Sequence, residues 1–115
     1  MRGLKMEIVE KAEELSNMLR ESEEYKRYLA AKEAISADVD LYNRVNEYRK
    51  KNFTLQNSTS NNRIDELREL ENEYREIMKN TIVREFLNSE LILCRKMQKI
   101  NELIVDGLDL DIQIV

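Results

Sequence analysis

Residues 81–106 read Thr-Ile-Val-Arg-Glu-Phe-Leu-Asn-Ser-Glu-Leu-Ile-Leu-Cys-Arg-Lys-Met-Gln-Lys-Ile-Asn-Glu-Leu-Ile-Val-Asp. At 100° per residue, Ile82, Phe86, Leu93, Met97, Ile100 and Ile104 fall on one side of a helical wheel. Val83, Leu87, Cys94 and Val105 widen that side into a broad apolar face. Arg84, Glu85, Asn88, Arg95, Lys96, Lys99, Glu102 and Asp106 lie opposite, and a continuous helix of this span is about 39 Å long. One residue breaks the pattern. Glu90 sits near the middle of the apolar face, beside Phe86, Met97 and Val83, and a carboxylate there needs a cation or hydroxyl partner.

Outward from this rod, the chain keeps the same character. It has 115 residues, 37% charged and only 6% aromatic, so its supply of core material is modest. There is no proline, and the only glycines are Gly3 and Gly107, so no strong breaker interrupts the span between them. The fold class is all-α: amphipathic helices in a bundle, with a long helical hairpin and a long C-terminal helix. Residues 1–107 are expected to form a single helical domain and residues 108–115 an extended or flexible tail.

Leu4, Ile8, Ala12, Leu15, Met18 and Leu19 predict a first helix over about residues 4 to 20. Ser22 ends it and caps a second, whose first turn holds Glu23 and Glu24, where the helix macrodipole favours negative charge. Tyr25, Tyr28, Leu29 and Ser36 share a face of this second helix with Lys32, an unusual cation among tyrosines. Asp38 caps a third helix with a stripe of Leu41, Tyr42, Val45, Tyr48, Phe53 and Leu55, ending near Gln56. Asn57-Ser58-Thr59-Ser60-Asn61-Asn62 is a loop, because short polar side chains compete with the backbone for helical hydrogen bonds. Ile64, Leu67, Leu70, Tyr74, Ile77 and Met78 then continue as a fourth helix, antiparallel to the third. Asn80 or Thr81 caps the final helix and Gly107 ends it. Beyond it, Leu108, Leu110, Ile112 and Ile114 alternate with polar residues in a strand-like pattern.

Composition excludes several chemistries. A net charge of −4 opposes a dedicated nucleic-acid binder, whose footprint is basic. A local run of Arg44, Arg49, Lys50 and Lys51 is weighed against the acidic helix that follows it, and direct nucleic-acid contact is not expected. One cysteine and no histidine rule out disulfide frameworks within the chain, zinc spacings and a Cys/His nucleophile, and Cys94 reads as a small core residue. Asp106, Asp109 and Asp111 lack the glycine and closing glutamate of a calcium loop. No cofactor or small-molecule substrate is expected. No apolar run approaches the roughly 18 residues that span a bilayer, and the N-terminus lacks a signal-peptide core. A cytoplasmic protein without membrane insertion is expected.

Two expectations concern packing. Glu90 is expected to meet Lys32, with hydroxyls of Tyr25, Tyr28 or Tyr74 completing its hydrogen bonds; this is a structural buried pair rather than a catalytic acid. The apolar face of the final helix is too broad for its short neighbours, so Ile82, Phe86, Leu93, Met97, Ile100 and Ile104 serve core and interface together. A homodimer or higher even oligomer follows.

The order of these features carries a resemblance. Leu19-Arg20-Glu21-Ser22-Glu23-Glu24-Tyr25-Lys26-Arg27-Tyr28, then Ala31-Lys32, the cap at Asp38, a polar interruption, and Asn80-Thr81-Ile82-Val83-Arg84-Glu85-Phe86-Leu87-Asn88-Ser89-Glu90 resemble the bacterial YlbF/YmcA family over nearly the whole chain. Thr81 and Ser89 stand where the family usually has proline and alanine. The resemblance implies a small, helical, oligomeric, non-catalytic regulatory protein of the cytoplasm. Relatives act as partners in complexes that tune RNA processing by RNase Y and affect competence, sporulation and biofilm formation. Some use extra cysteines to bind iron–sulfur clusters, which Cys94 alone does not supply. The enzyme alternative is a helical mutase resembling dimeric chorismate mutases. That chemistry requires several cations converging on a buried cavity, and Lys32 is the only clear inward cation of the sequence.

Overall fold

A computed structural model describes residues 4–106 and Leu108. Among the described residues there are six helices and no strand: α1 Leu4–Glu21, α2 Glu23–Ser36, α3 Val39–Gln56, α4 Arg63–Glu73, α5 Arg75–Met78 and α6 Thr81–Val105. The all-α expectation is met, and the capping residues act as their side chains dictate. Ser22 Oγ accepts from the Tyr25 N–H at 3.2 Å and Asp38 Oδ1 from the Leu41 N–H at 3.1 Å. Asn80 Oδ1 accepts from both Ile82 and Val83 N–H, at 2.8 and 3.3 Å. Each bond satisfies a backbone donor that has no partner inside the helix. In the 57–62 loop, the Ser58 and Ser60 hydroxyls accept from the N–H groups of Ser60 and Asn62. The strand-like pattern at 108–115 lies outside the described residues apart from Leu108.

The core forms where α2 runs antiparallel to α6 and α3 closes over their junction. Ala31, Ile35, Val45, Val83 and Phe86 are buried together, with Tyr28, Leu41, Tyr42, Ile77, Met78 and Leu87 packed around them. Phe86 is central. The Tyr28 ring stacks on it with centroids 6.1 Å apart, and Tyr42 meets it edge-on at 5.9 Å, both within the range of favourable aromatic pairs. Ser89, one turn along α6, is buried too. Its hydroxyl donates to the Phe86 carbonyl at 3.0 Å, so a polar group is accommodated without an unmade hydrogen bond. Two ion pairs set the register of α2 on α6. Arg27 makes a two-pronged contact with Glu85, 2.7 Å in each prong, and Lys96 donates to Glu24 at 2.6 Å.

The fourth helix departs from its expected continuous form. It breaks at Tyr74, whose backbone leaves helical geometry (φ −106°, ψ 15°). Leu70 is buried on the α3 side, whereas Ile77 and Met78 pack against the core at α6. The break lets the two segments face different neighbours. Tyr74 is the buried pivot: its ring meets Tyr48 edge-on at 5.5 Å, with Arg44 and Lys51 each 5.1 Å from its centroid. Its hydroxyl donates to Glu47 at 3.4 Å.

The molecule is long and thin, 60 × 37 × 17 Å. Since one helix with its side chains is 10–12 Å across, the short dimension holds no more than two layers. The radius of gyration is 18.7 Å, against about 13 Å for a compact chain of this length.

Candidate interaction groove

The α6 stripe is only partly covered. Phe86 is buried and Leu93 and Ile100 are half-buried, but Ile82, Met97 and Ile104 are 41%, 37% and 56% exposed. α2 begins at Glu23, which sits near Lys96 of the antiparallel α6 through the Glu24 contact, so α2 does not extend along the last two turns. α1 shares only its final turns with this region: Ser16, Leu19 and Arg20 surround a shallow hollow of about 270 Å³ with Tyr25, Leu93 and Met97.

On the other side of the stripe, α3 and α6 diverge to leave a groove of about 820 Å³. Tyr48 and Phe53 of α3 and Leu87, Leu91 and Cys94 of α6 supply its apolar walls. Cys94 is exposed there, not in the core as expected. On the wheel it lies only about 20° from buried Val83, but it is three turns further along α6, where the groove opens between α6 and α3.

Arg49 closes the groove's inner end. Its guanidinium binds Glu90, donates to Asn46 at 2.9 Å and stands 5.3 Å from the Phe86 ring centroid. Here the structure corrects the expected pairing, for Glu90 meets Arg49 and Lys32 is exposed. The line of α2 that packs inward is Tyr28, Ala31 and Ile35, and Lys32 lies about 70° from the middle of that line, where it is exposed. The tyrosines expected around Glu90 are engaged elsewhere, Tyr28 on Phe86 and Tyr74 with Glu47. A sequence signal for Arg49 existed: Tyr42, Val45 and Arg49 share the i, i+3, i+7 spacing of one helical face.

The basic run on α3 is largely occupied within the chain. Arg49 is paired to Glu90, Lys51 to Glu73 at 3.2 Å and to the Tyr74 ring, and Arg44 to the same ring. Burial raises the Tyr48 hydroxyl above its ordinary value, and Glu71 adds to this. Arg27 holds the Glu85 carboxyl low and Lys96 holds that of Glu24 low, in each case first through a side-chain hydrogen bond. Among the described residues no group of three or more Cys, His, Asp or Glu side chains is placed to hold a metal ion, and no helix is long and apolar enough to cross a membrane. The groove's single carboxylate is neutralised by its arginine.

These features define a class: an open, all-helical module that presents an apolar groove beside an uncovered helix face. The chain belongs to the YlbF/YmcA family, whose model, described as control of the competence regulator ComK, matches residues 8–109. It is 33% identical over 102 residues to a UPF0342 protein of Caldicellulosiruptor saccharolyticus, covering 86% of this chain and 85% of that one. A UPF0342 protein of Caldicellulosiruptor bescii is 31% identical, covering 85% of each chain, and one of Desulfitobacterium hafniense is 28% identical, covering 90% and 86%. No solved structure matches the chain.

Proposed function

We propose that this chain is a non-catalytic regulatory protein of the cytoplasm that forms a homodimer and works by binding other proteins. The observation that carries the reading is the uncovered apolar face of α6, continuous with the groove beside α3. Apolar surface of this kind is costly in water and characteristically marks a contact with another chain. Family membership supports a regulatory role, and the partner we propose, on the resemblance noted above, is a complex that tunes RNA processing by RNase Y. An enzyme acting on a dianion would need several free cations in a cavity, whereas the groove's arginine is committed to Glu90.

The test is affinity capture of the tagged full chain from its native cytoplasm, read by mass spectrometry. Recovery of RNase Y or its associated proteins is expected. Recovery of nothing but the chain's own second copy would remove the adaptor role. Light scattering at micromolar concentration tests the dimer separately, and a mass near 13.7 kDa, that of one chain, would overturn it.

A further inference from the structure

We propose that the groove between α3 and α6 receives the N-terminal half of α1 from a second copy of the chain. The inference rests on the dimer reading above and specifies how the two copies meet.

The occupant is indicated first by what α1 lacks. Its apolar line runs Ile8, Ala12, Leu15, Leu19 at helical spacing. Leu15 and Leu19 are half-buried, Leu19 beside Tyr25 of α2 and Leu93 and Met97 of α6, but Ile8 is 70% exposed and the adjacent Val9 45%. Two helical turns with an unburied apolar face are not stable on backbone propensity alone, so a covering surface is required. The chain's own groove is poorly placed to provide it. Leu19 sits by Leu93 and Met97, whereas the groove opens along Leu87, Leu91 and Cys94, further around α6.

Length and charge both match. The groove's α3 wall runs from Asn46 to Gln56, about 15 Å of helix, and residues 4–15 of α1 extend about 17 Å. That half of α1 carries four glutamates against two lysines. The groove is lined by an arginine and a lysine, Arg49 and Lys50, against the one glutamate, Glu90. The rival occupant from a second copy, the end of α6, has Lys96 committed to Glu24, leaving Arg95 and Lys99 against Glu102 and Asp106, a balanced set that offers the groove no charge complement. A two-fold axis then supplies two arms and two grooves, a closed arrangement that leaves neither unfilled.

The experiment uses the chain's single native thiol, Cys94, which lines the groove. A second cysteine is introduced on α1 as Ala12→Cys, with Ile8→Cys as an alternative site, both exposed positions. The full-length protein is oxidised with copper phenanthroline and run on a non-reducing gel, and the linked peptides are identified by mass spectrometry. The expected result is a covalent dimer joining the introduced thiol to Cys94, raised at least tenfold over the wild type and absent when Cys94→Ser is added. Linkage within one chain would overturn the proposal. So would a protein that is dimeric by light scattering yet does not link from either position; the dimer reading would then stand on another surface. A monomer by light scattering overturns both.

Discussion

Arg49 and Glu90 show what one side chain's direction decides. Their side chains remain 37% and 24% exposed, so the pair retains part of its hydration and is worth about 1 kcal/mol rather than the 3–5 kcal/mol lost when a fully buried pair is broken. Arg49 also covers the Phe86 ring. We expect Arg49→Ala to lower stability by about 1–2 kcal/mol in urea melts, from lost packing and lost pairing together, and Lys32→Ala to stay within about 0.5 kcal/mol. Equal losses at the two positions would return Lys32 to Glu90. That Glu90 needs a cation was legible from its place in the apolar face. Which cation was not, because the inward line of α2, Tyr28, Ala31 and Ile35, is turned about 80° from the face of Tyr25, Tyr28, Leu29 and Ser36, enough to carry Lys32 from the core to the solvent edge.

Among the elements, the helix starts were the most legible, because Ser22, Asp38 and Asn80 cap through bonds to residues two or three positions away. Asn80→Ala leaves two N–H groups at the head of α6 without that acceptor, and a loss of about 1 kcal/mol is expected in thermal or denaturant melts; Asn80→Ser should recover most of it. The break at Tyr74 was not legible, for it arises where one segment must face α3 and the next α6. The α2 and α6 pairing carries a pH dependence. Glu24 and Glu85 are held below their ordinary 4.5 by Lys96 and Arg27. A carboxyl with a lower folded-state value stabilises fully above the unfolded value, and that contribution disappears as pH falls through the folded one. The melting temperature should therefore fall between about pH 6 and pH 3, and Glu85→Gln should show a shallower fall over the same interval. Parallel acid profiles would mean that Glu85 gains nothing from Arg27.

At the scale of the molecule, shape governs behaviour. A body 17 Å thick buries one small cluster around Phe86 and leaves much of α1 and the end of α6 facing water. Phe53→Glu with Leu91→Glu, both in the groove walls, should raise the dimer dissociation constant at least tenfold by light scattering while leaving helix content by circular dichroism near that of the wild type. Both side chains are exposed in the single chain, so their replacement disturbs association rather than the subunit's own core. A fall in helix content with no change in mass would place them inside the subunit.

The order of residues was enough to establish an all-helical chain, the caps at Ser22 and Asp38, a cap at Asn80 or Thr81, the polar loop at 57–62, and a final helix with a broad apolar face. These depend on neighbours within a turn or two and on a 3.6-residue period, both written locally along the chain. Only the folded arrangement decided that Arg49 answers Glu90, that Cys94 lines a groove, and that the fourth helix bends at Tyr74. Each depends on how two helices distant in sequence are rotated and set against each other, and that choice minimises exposed surface over the whole assembly of helices rather than within any one of them.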